Sequence, residues 1–146
     1  MTAEPRPGAR RKADTLARLA APVLDAWVAS ADGDPYLVPL TLAWHEERLL
    51  LATSRGSPTV RNIVARGRAR IAIGPTRDVV MIDVRLEREA APAELGAVYA
   101  AQNDWNPSTA GPDYVILVLR PYRIQAWREE NELAGRLLMK DGVWTA

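Results

Sequence analysis

A chain of 146 residues, 48 % hydrophobic and 25 % charged, has the composition of a globular domain with a core of its own. Its net charge of +1 gives no general attraction to nucleic acid or membrane, and the absence of cysteine excludes disulfides, a thiolate nucleophile and cysteine metal sites. No apolar run reaches the ~20 residues that span a bilayer and no signal-peptide pattern opens the chain, so a cytoplasmic protein is expected.

Residues 1–11, with two prolines, a glycine and three arginines, read as a disordered tail, and residues 12–146 as a single domain. A short helix is predicted from Arg11, with Leu16, Leu19, Ala20 and Val23 at helical spacing. Strands follow at 23–30, 36–44 and 48–54, separated by turns at 31–35 and 45–48. Pro39 cannot donate to a ladder and belongs at an edge or a bulge. The next segment, 58–66, is a helix expected to bury Val60, Ile63 and Val64. Alternation of Ala69, Ile71 and Ile73 with arginines marks a half-exposed strand, and 79–86 is another. A short helix over 92–102 leads to a loop at 103–113 anchored by Trp105. The apolar run 114–119 continues through 122–127, and the chain closes with a hairpin around Lys140, Asp141 and Gly142. Six or seven antiparallel strands in meander order, with few helices, predict a mostly β barrel or sandwich.

The stretch 49–62 carries the strongest functional signal. An apolar strand runs through a small-residue turn into a helix with Ser57 as N-cap, Pro58 at the first helical position and Gly67 at the C-cap. Free N–H groups and a partial positive charge at such a helix start attract anions, phosphate above all. Hydroxyls at Thr53, Ser54, Ser57 and Thr59 and guanidinium groups at Arg55 and Arg61 suit the same ligand. Between Glu47 and Asp78 there is no acidic residue, while Arg48, Arg55, Arg61, Arg66, Arg68, Arg70 and Arg77 fall in that window. This local cationic block predicts one anionic site rather than a protein-wide field. The helix is too short and too apolar to read nucleic acid.

Other chemistry is sparse. His45, the sole histidine, sits in a strand turn with no nucleophile at motif spacing. No zinc-protease, Walker-type or dinucleotide-binding motif occurs, and no metal site is expected. Trp27 and Trp44 read as core or sheet-face residues, Trp144 as a pin for the C-terminal hairpin, and the run 129–132 as a solvated turn.

The order of helix, three-strand meander, "ATSRGSPTVRN" helix, "RARIAI" strand, "TRDVVMIDVRLE" strand, helix, Trp-bearing loop and long strand "YVILVLRPYRIQAWRE" resembles the pyridoxamine 5′-phosphate oxidase-like family over about residues 12–130. The resemblance implies an antiparallel split β-barrel, a homodimer, and two cofactor sites at the subunit interface. It implies FMN or the deazaflavin coenzyme F420 as cofactor, with haem in a few members, and a small organic substrate. By position, Thr53, Ser54, Ser57, Thr59, Arg61 and Asn62 match the segment that holds the cofactor phosphate. Arg77 and Asp78 open the strand that passes the flavin ring, and Trp105 and Trp127 lie in segments that approach the partner's flavin, where they either wall a substrate pocket or pack the subunit interface. Many members carry a basic residue where this chain has Pro58 or Thr59. True pyridoxamine phosphate oxidases also have an Arg and a Lys where it has Val38 and Ala43, which argues against that activity. The expectation is a flavin- or deazaflavin-dependent oxidoreductase, with a non-catalytic flavin-binding or anion-binding protein of the same fold as the alternative.

Overall fold

A computed structural model describes residues 3–146. Helix α1 spans Gly8–Ala20, and three strands follow, β1 (Leu24–Asp32), β2 (Asp34–His45) and β3 (Arg48–Ser54). Helix α2 (Pro58–Arg66) leads to β4 (Arg68–Ile73) and β5 (Val79–Ala90), then α3 (Pro92–Asn103), β6 (Tyr114–Trp127), β7 (Leu137–Lys140) and β8 (Val143–Trp144). The sheet runs in the order β3-β2-β1-β4-β5-β6-β7-β8, and a further β3–β6 pairing closes the first six strands into a barrel. All pairings are antiparallel. The mostly β split-barrel expectation is met.

Closure explains why β3 is buried from Leu49 to Ala52 instead of alternating. Leu49 and Leu51 join the barrel interior with Val28, Ile71, Ile82 and Leu117, while Leu50 and Ala52 lie in a second cluster with Tyr99, Ile116 and Val118. Helix α3 supplies that outer layer, and its Tyr99 hydroxyl donates to the Thr41 carbonyl at 2.6 Å. Pro39 pairs with Trp27 of β1, while β3 joins β2 only from Leu42 onward, so its other flank is a local edge.

Three expectations need correction. The first concerns the tail: α1 begins at Gly8, and the segment before it is docked rather than disordered. Arg6 donates through Nη2 and Nε to the Glu132 carboxylate at 2.8 and 3.0 Å, and buried Arg11 donates to the Ala126 and Glu132 carbonyls. Residues 1 and 2 of the expected tail lie outside the described residues. Second, Glu132 is not part of a solvated turn but is 2 % exposed. Third, α2 buries Thr59, Val60 and Ile63, so its inner stripe is rotated toward Thr59 and leaves Val64 half exposed.

Candidate functional site: the strand-turn-helix at residues 53–62

The local signals of this segment are realised. Ser57 is the N-cap of α2, its Oγ accepting from the Val60 N–H at 3.3 Å, and Pro58 occupies the first helical turn, where its missing N–H costs nothing. At the far end Gly67 adopts φ 72°, a left-handed conformation that glycine takes without a Cβ penalty, and its N–H bonds the Ile63 carbonyl. The turn is pinned to the residue before β6 by the Arg55 N–H on the Asp113 carbonyl at 2.8 Å and closed by the Ser57 N–H on the Ser54 carbonyl at 3.0 Å. Among the described residues the N–H groups of Gly56 and Thr59 have no acceptor. The Ser57 hydroxyl, having accepted the cap bond, keeps its proton to donate.

The candidate side chains divide. Thr53 and Ser54 are successive positions on β3, so they point to opposite faces of the strand and cannot both line one cradle. Thr59 is only 2 % exposed in the single chain, so its side chain offers little surface to a ligand. Asn62 is tied inward through its Nδ2 to the Ser30 hydroxyl at 3.2 Å. Arg55 is exposed and paired with Glu89 at 3.2 Å, whereas exposed Arg61 has no ion pair among the described residues. What remains at the helix start is the two N–H groups, the Ser57 hydroxyl, Arg61 and a competable Arg55.

The cationic block read along the sequence is largely neutralised in space. Arg48 pairs with Glu87 at 3.0 Å, Arg66 with Asp32 at 2.8 Å, Arg70 with Asp83 at 2.5 Å and Arg77 with Glu129 at 3.0 Å. Every one of these carboxylates lies outside the 48–77 window that suggested the block. The Arg48 hydrogen bond holds the Glu87 carboxyl below its ordinary range.

Arg77 and Asp78 are not brought to the cradle within one chain. They precede Val79, which pairs with Trp127 at one end of β6, while Thr53 and Ser54 pair with Val115 and Tyr114 at the other. Asp78 instead centres an ion cluster with Arg18 at 3.3 Å and Arg128 at 3.4 Å. The two tryptophans are split the same way. Trp105 packs edge-on against Tyr99 and Tyr114, ring centroids 5.8 and 5.7 Å apart, and so stands beside the Ser54 end of the cradle; half-buried Trp127 belongs with Val79. Gly96 of α3 leaves room for the loop that follows Trp105, since a Cβ there would lie 2.4 Å from Asn106 Oδ1.

His45, expected in the strand turn, is instead the last residue of β2, paired with Arg48, and its Nε2 lies 3.7 Å from the exposed Glu46 carboxylate. No cluster of metal-ligating residues exists among the described residues, and no helix is long and apolar enough to cross a membrane. Sequence reasoning missed a cavity of about 530 Å³ at the other end of α2, lined by residues from β1, β4, β5 and β6. No local signal announces it, because its walls come from segments distant in sequence.

Solved structures share this architecture. An F420 reductase superposes with a TM-score of 0.58 at 24 % identity, covering 74 % of this chain and 94 % of that one. A candidate pyridoxamine 5′-phosphate oxidase from Listeria innocua gives 0.59 at 15 % identity, over 73 % and 90 %. The fold is that of the pyridoxamine 5′-phosphate oxidase-like proteins. A heme binding protein from Mycobacterium smegmatis also shares it, with a TM-score of 0.61 at 25 % identity over 83 % of this chain and 54 % of that one. No family model and no curated protein matches the chain.

Proposed function

We infer that this split barrel binds a phosphate-bearing flavin-type cofactor, FMN or a deazaflavin, and serves as an oxidoreductase on a small organic substrate. The observation that carries the reading is the start of α2, where residues 56–61 supply two N–H groups and an arginine side chain, Arg61, that have no partner among the described residues, together with a capping hydroxyl, a set suited to a phosphate. The F420 reductase of the same fold supports the cofactor class. When bound, such a cofactor supplies the hydride chemistry; the protein contributes orientation and electrostatics. That division of labour suits a chain with no metal cluster among its described residues and one histidine.

The same reading includes a homodimer. Cradle and Trp105 occupy one end of β6, and Arg77, Asp78 and Trp127 the other. A two-fold axis that sets one end of each copy against the opposite end of its partner would complete two equivalent sites. Residues that the single chain separates, Asp78 and Trp127 among them, would then face a cofactor held by the other copy.

Titration with FMN, with the deazaflavin coenzyme and with haem, followed by tryptophan quenching, tests the assignment. One flavin-type ligand should bind at micromolar level or tighter, and Arg61→Ala should cost about 1.5–3 kcal/mol of that affinity, as for a charged hydrogen bond. Binding of haem alone, or a flavin affinity indifferent to Arg61, would overturn it. Turnover of the reduced cofactor with an acceptor screen separates an enzyme from a protein that only carries the ligand.

A further inference from the structure

The cavity at the C-terminal end of α2 holds charges arranged differently from those of the cradle. Arg68 on β4 stands directly opposite Arg85 on β5, and Arg85 directly opposite Arg120 on β6. Residues so paired share a face of the sheet, and like charges facing across strands are destabilising. Among the described residues none of the three has a carboxylate within ion-pair distance. Arg120 borders a separate cavity of about 200 Å³ with Trp44 and Trp144, and of the three it is Arg68 that lines this one.

The remaining walls are built to hold a charge. The β5–β6 register slips between Asp83 and Val84, which pair with Arg123 and Pro121, so Tyr122 is the bulged residue and its side chain lines the cavity. Arg85 lies over the Tyr122 ring, 4.4 Å from its centroid. Asp83 is 7 % exposed and takes two bonds from Arg70, at 2.5 and 3.1 Å, which fixes that guanidinium and neutralises the carboxylate. Arg66 at the rim is similarly matched by Asp32 at 2.8 Å. The carbonyl end of α2 opposes an anion, since among the described residues only that of Ile63 of its last four carbonyls is taken, by the Gly67 N–H, but its partial charge of about one half is smaller than that of the two guanidinium groups of Arg68 and Arg85. The balance at this end is positive.

We propose that this cavity of about 530 Å³ is a binding site for a small oligoanion of triphosphate or tricarboxylate size, held by Arg68 with Arg66, Arg70 and Tyr122 at its walls and Arg85 behind the ring. The site is distinct from the cradle, since α2 puts roughly 13 Å of helix between them. It does not rest on the flavin reading, and either can fail alone.

Calorimetric titration of the purified protein with inorganic triphosphate, and separately with citrate, tests this at low and moderate salt. One-site binding of at least one probe is expected, weakening as salt rises. Arg68→Gln should lower that affinity about tenfold or more, as for loss of a charged hydrogen bond. Arg85→Gln should lower it less, and Arg88→Gln, whose arginine pairs with Glu94 elsewhere on the surface, should leave it unchanged. A preference for triphosphate identifies a phosphate ligand, and a preference for citrate a polycarboxylate. Flavin affinity should be the same in Arg68→Gln as in the parent protein. Absence of binding by both probes, or equal losses in all three variants, would overturn the proposal, and ligand-free melting of each variant shows that the fold is intact.

Discussion

The N-terminal anchor and the start of α2 use the same side chains to opposite ends. At the anchor, Arg6 and Glu132 have side chains 8 % and 3 % exposed, and the carboxylate takes four hydrogen bonds: three from Arg6 and one from the Arg128 N–H at 2.8 Å. Around α2, pairs such as Arg55–Glu89 and Arg66–Asp32 stand in solvent, each made through a single guanidinium nitrogen that water and salt can replace. A buried pair is committed to the fold because removing one partner strands the other. An exposed pair is held loosely and can be given up to a ligand. Arginine count along the sequence therefore does not locate a binding site; the exposure and spare valence of each guanidinium do.

The sharpest break of that comparison is at Glu132. Glu132→Ala should destabilise the protein by about 3–5 kcal/mol, since it strips the buried Arg6 guanidinium and the Arg128 N–H of their acceptor and removes the negative charge beside buried Arg11, whose own bond to the Glu132 main-chain carbonyl survives. Denaturant unfolding measures it, and a loss below about 1 kcal/mol would put the anchor in the same class as the surface pairs. The same carboxyl imposes a pH dependence. The Arg6 hydrogen bond, with backbone N–H groups of Arg6 and Arg128, holds it down from an ordinary 4.5 to about 2. A depressed carboxyl stabilises the folded state fully above its unfolded value and loses that contribution as pH falls from about 4.5 toward about 2. Glu132→Gln should flatten this acid limb while retaining part of the anchor.

What the sequence could disclose follows the same division. The limits of α2, its Ser57 and Gly67 caps and the extent of β3 were legible because capping chemistry, a proline at the first turn and a bounded apolar run are local. The docking of Arg6 on Glu132 was not, because the partners lie 126 positions apart and nothing near either announces the other. For the same reason the arginine-rich window looked unopposed, although carboxylates from β5 and the end of β1 meet most of it. Strand β5 runs on to Ala90, past the expected end at Leu86, because β6 pairs with it as far as Ile116. That continuation is read from the partner strand and not from the polar residues 87–89 themselves. Of the candidate site, the helix start was legible from sequence; the burial of Thr59 and the separation of Arg77 and Asp78 from it depend on barrel closure.

A smaller effect separates the two duties of Ser57. Ser57→Ala should cost about 1 kcal/mol of stability through the lost cap, whereas Ser57→Gly should cost only a few tenths. If the hydroxyl also donates to a ligand phosphate, both variants should weaken flavin binding alike despite their unequal stabilities. Binding losses that track stability would confine Ser57 to capping.

The smallest effect discriminates most finely. Glu89→Gln frees Arg55 from a pair in which both side chains are well exposed, 59 % and 37 %, so stability should change by less than about 1 kcal/mol. A phosphate at the helix start no longer has to compete for that guanidinium, and its affinity should rise by up to about fivefold, the equivalent of about 1 kcal/mol. The gain should shrink as ionic strength rises, because the competition it removes is itself screened. The comparison of flavin affinity at two salt concentrations in Glu89→Gln and parent protein decides the matter. An unchanged affinity would mean that Arg55 stays with solvent whatever its partner does, leaving Arg61 and the backbone N–H groups of Gly56 and Thr59 to hold the anion.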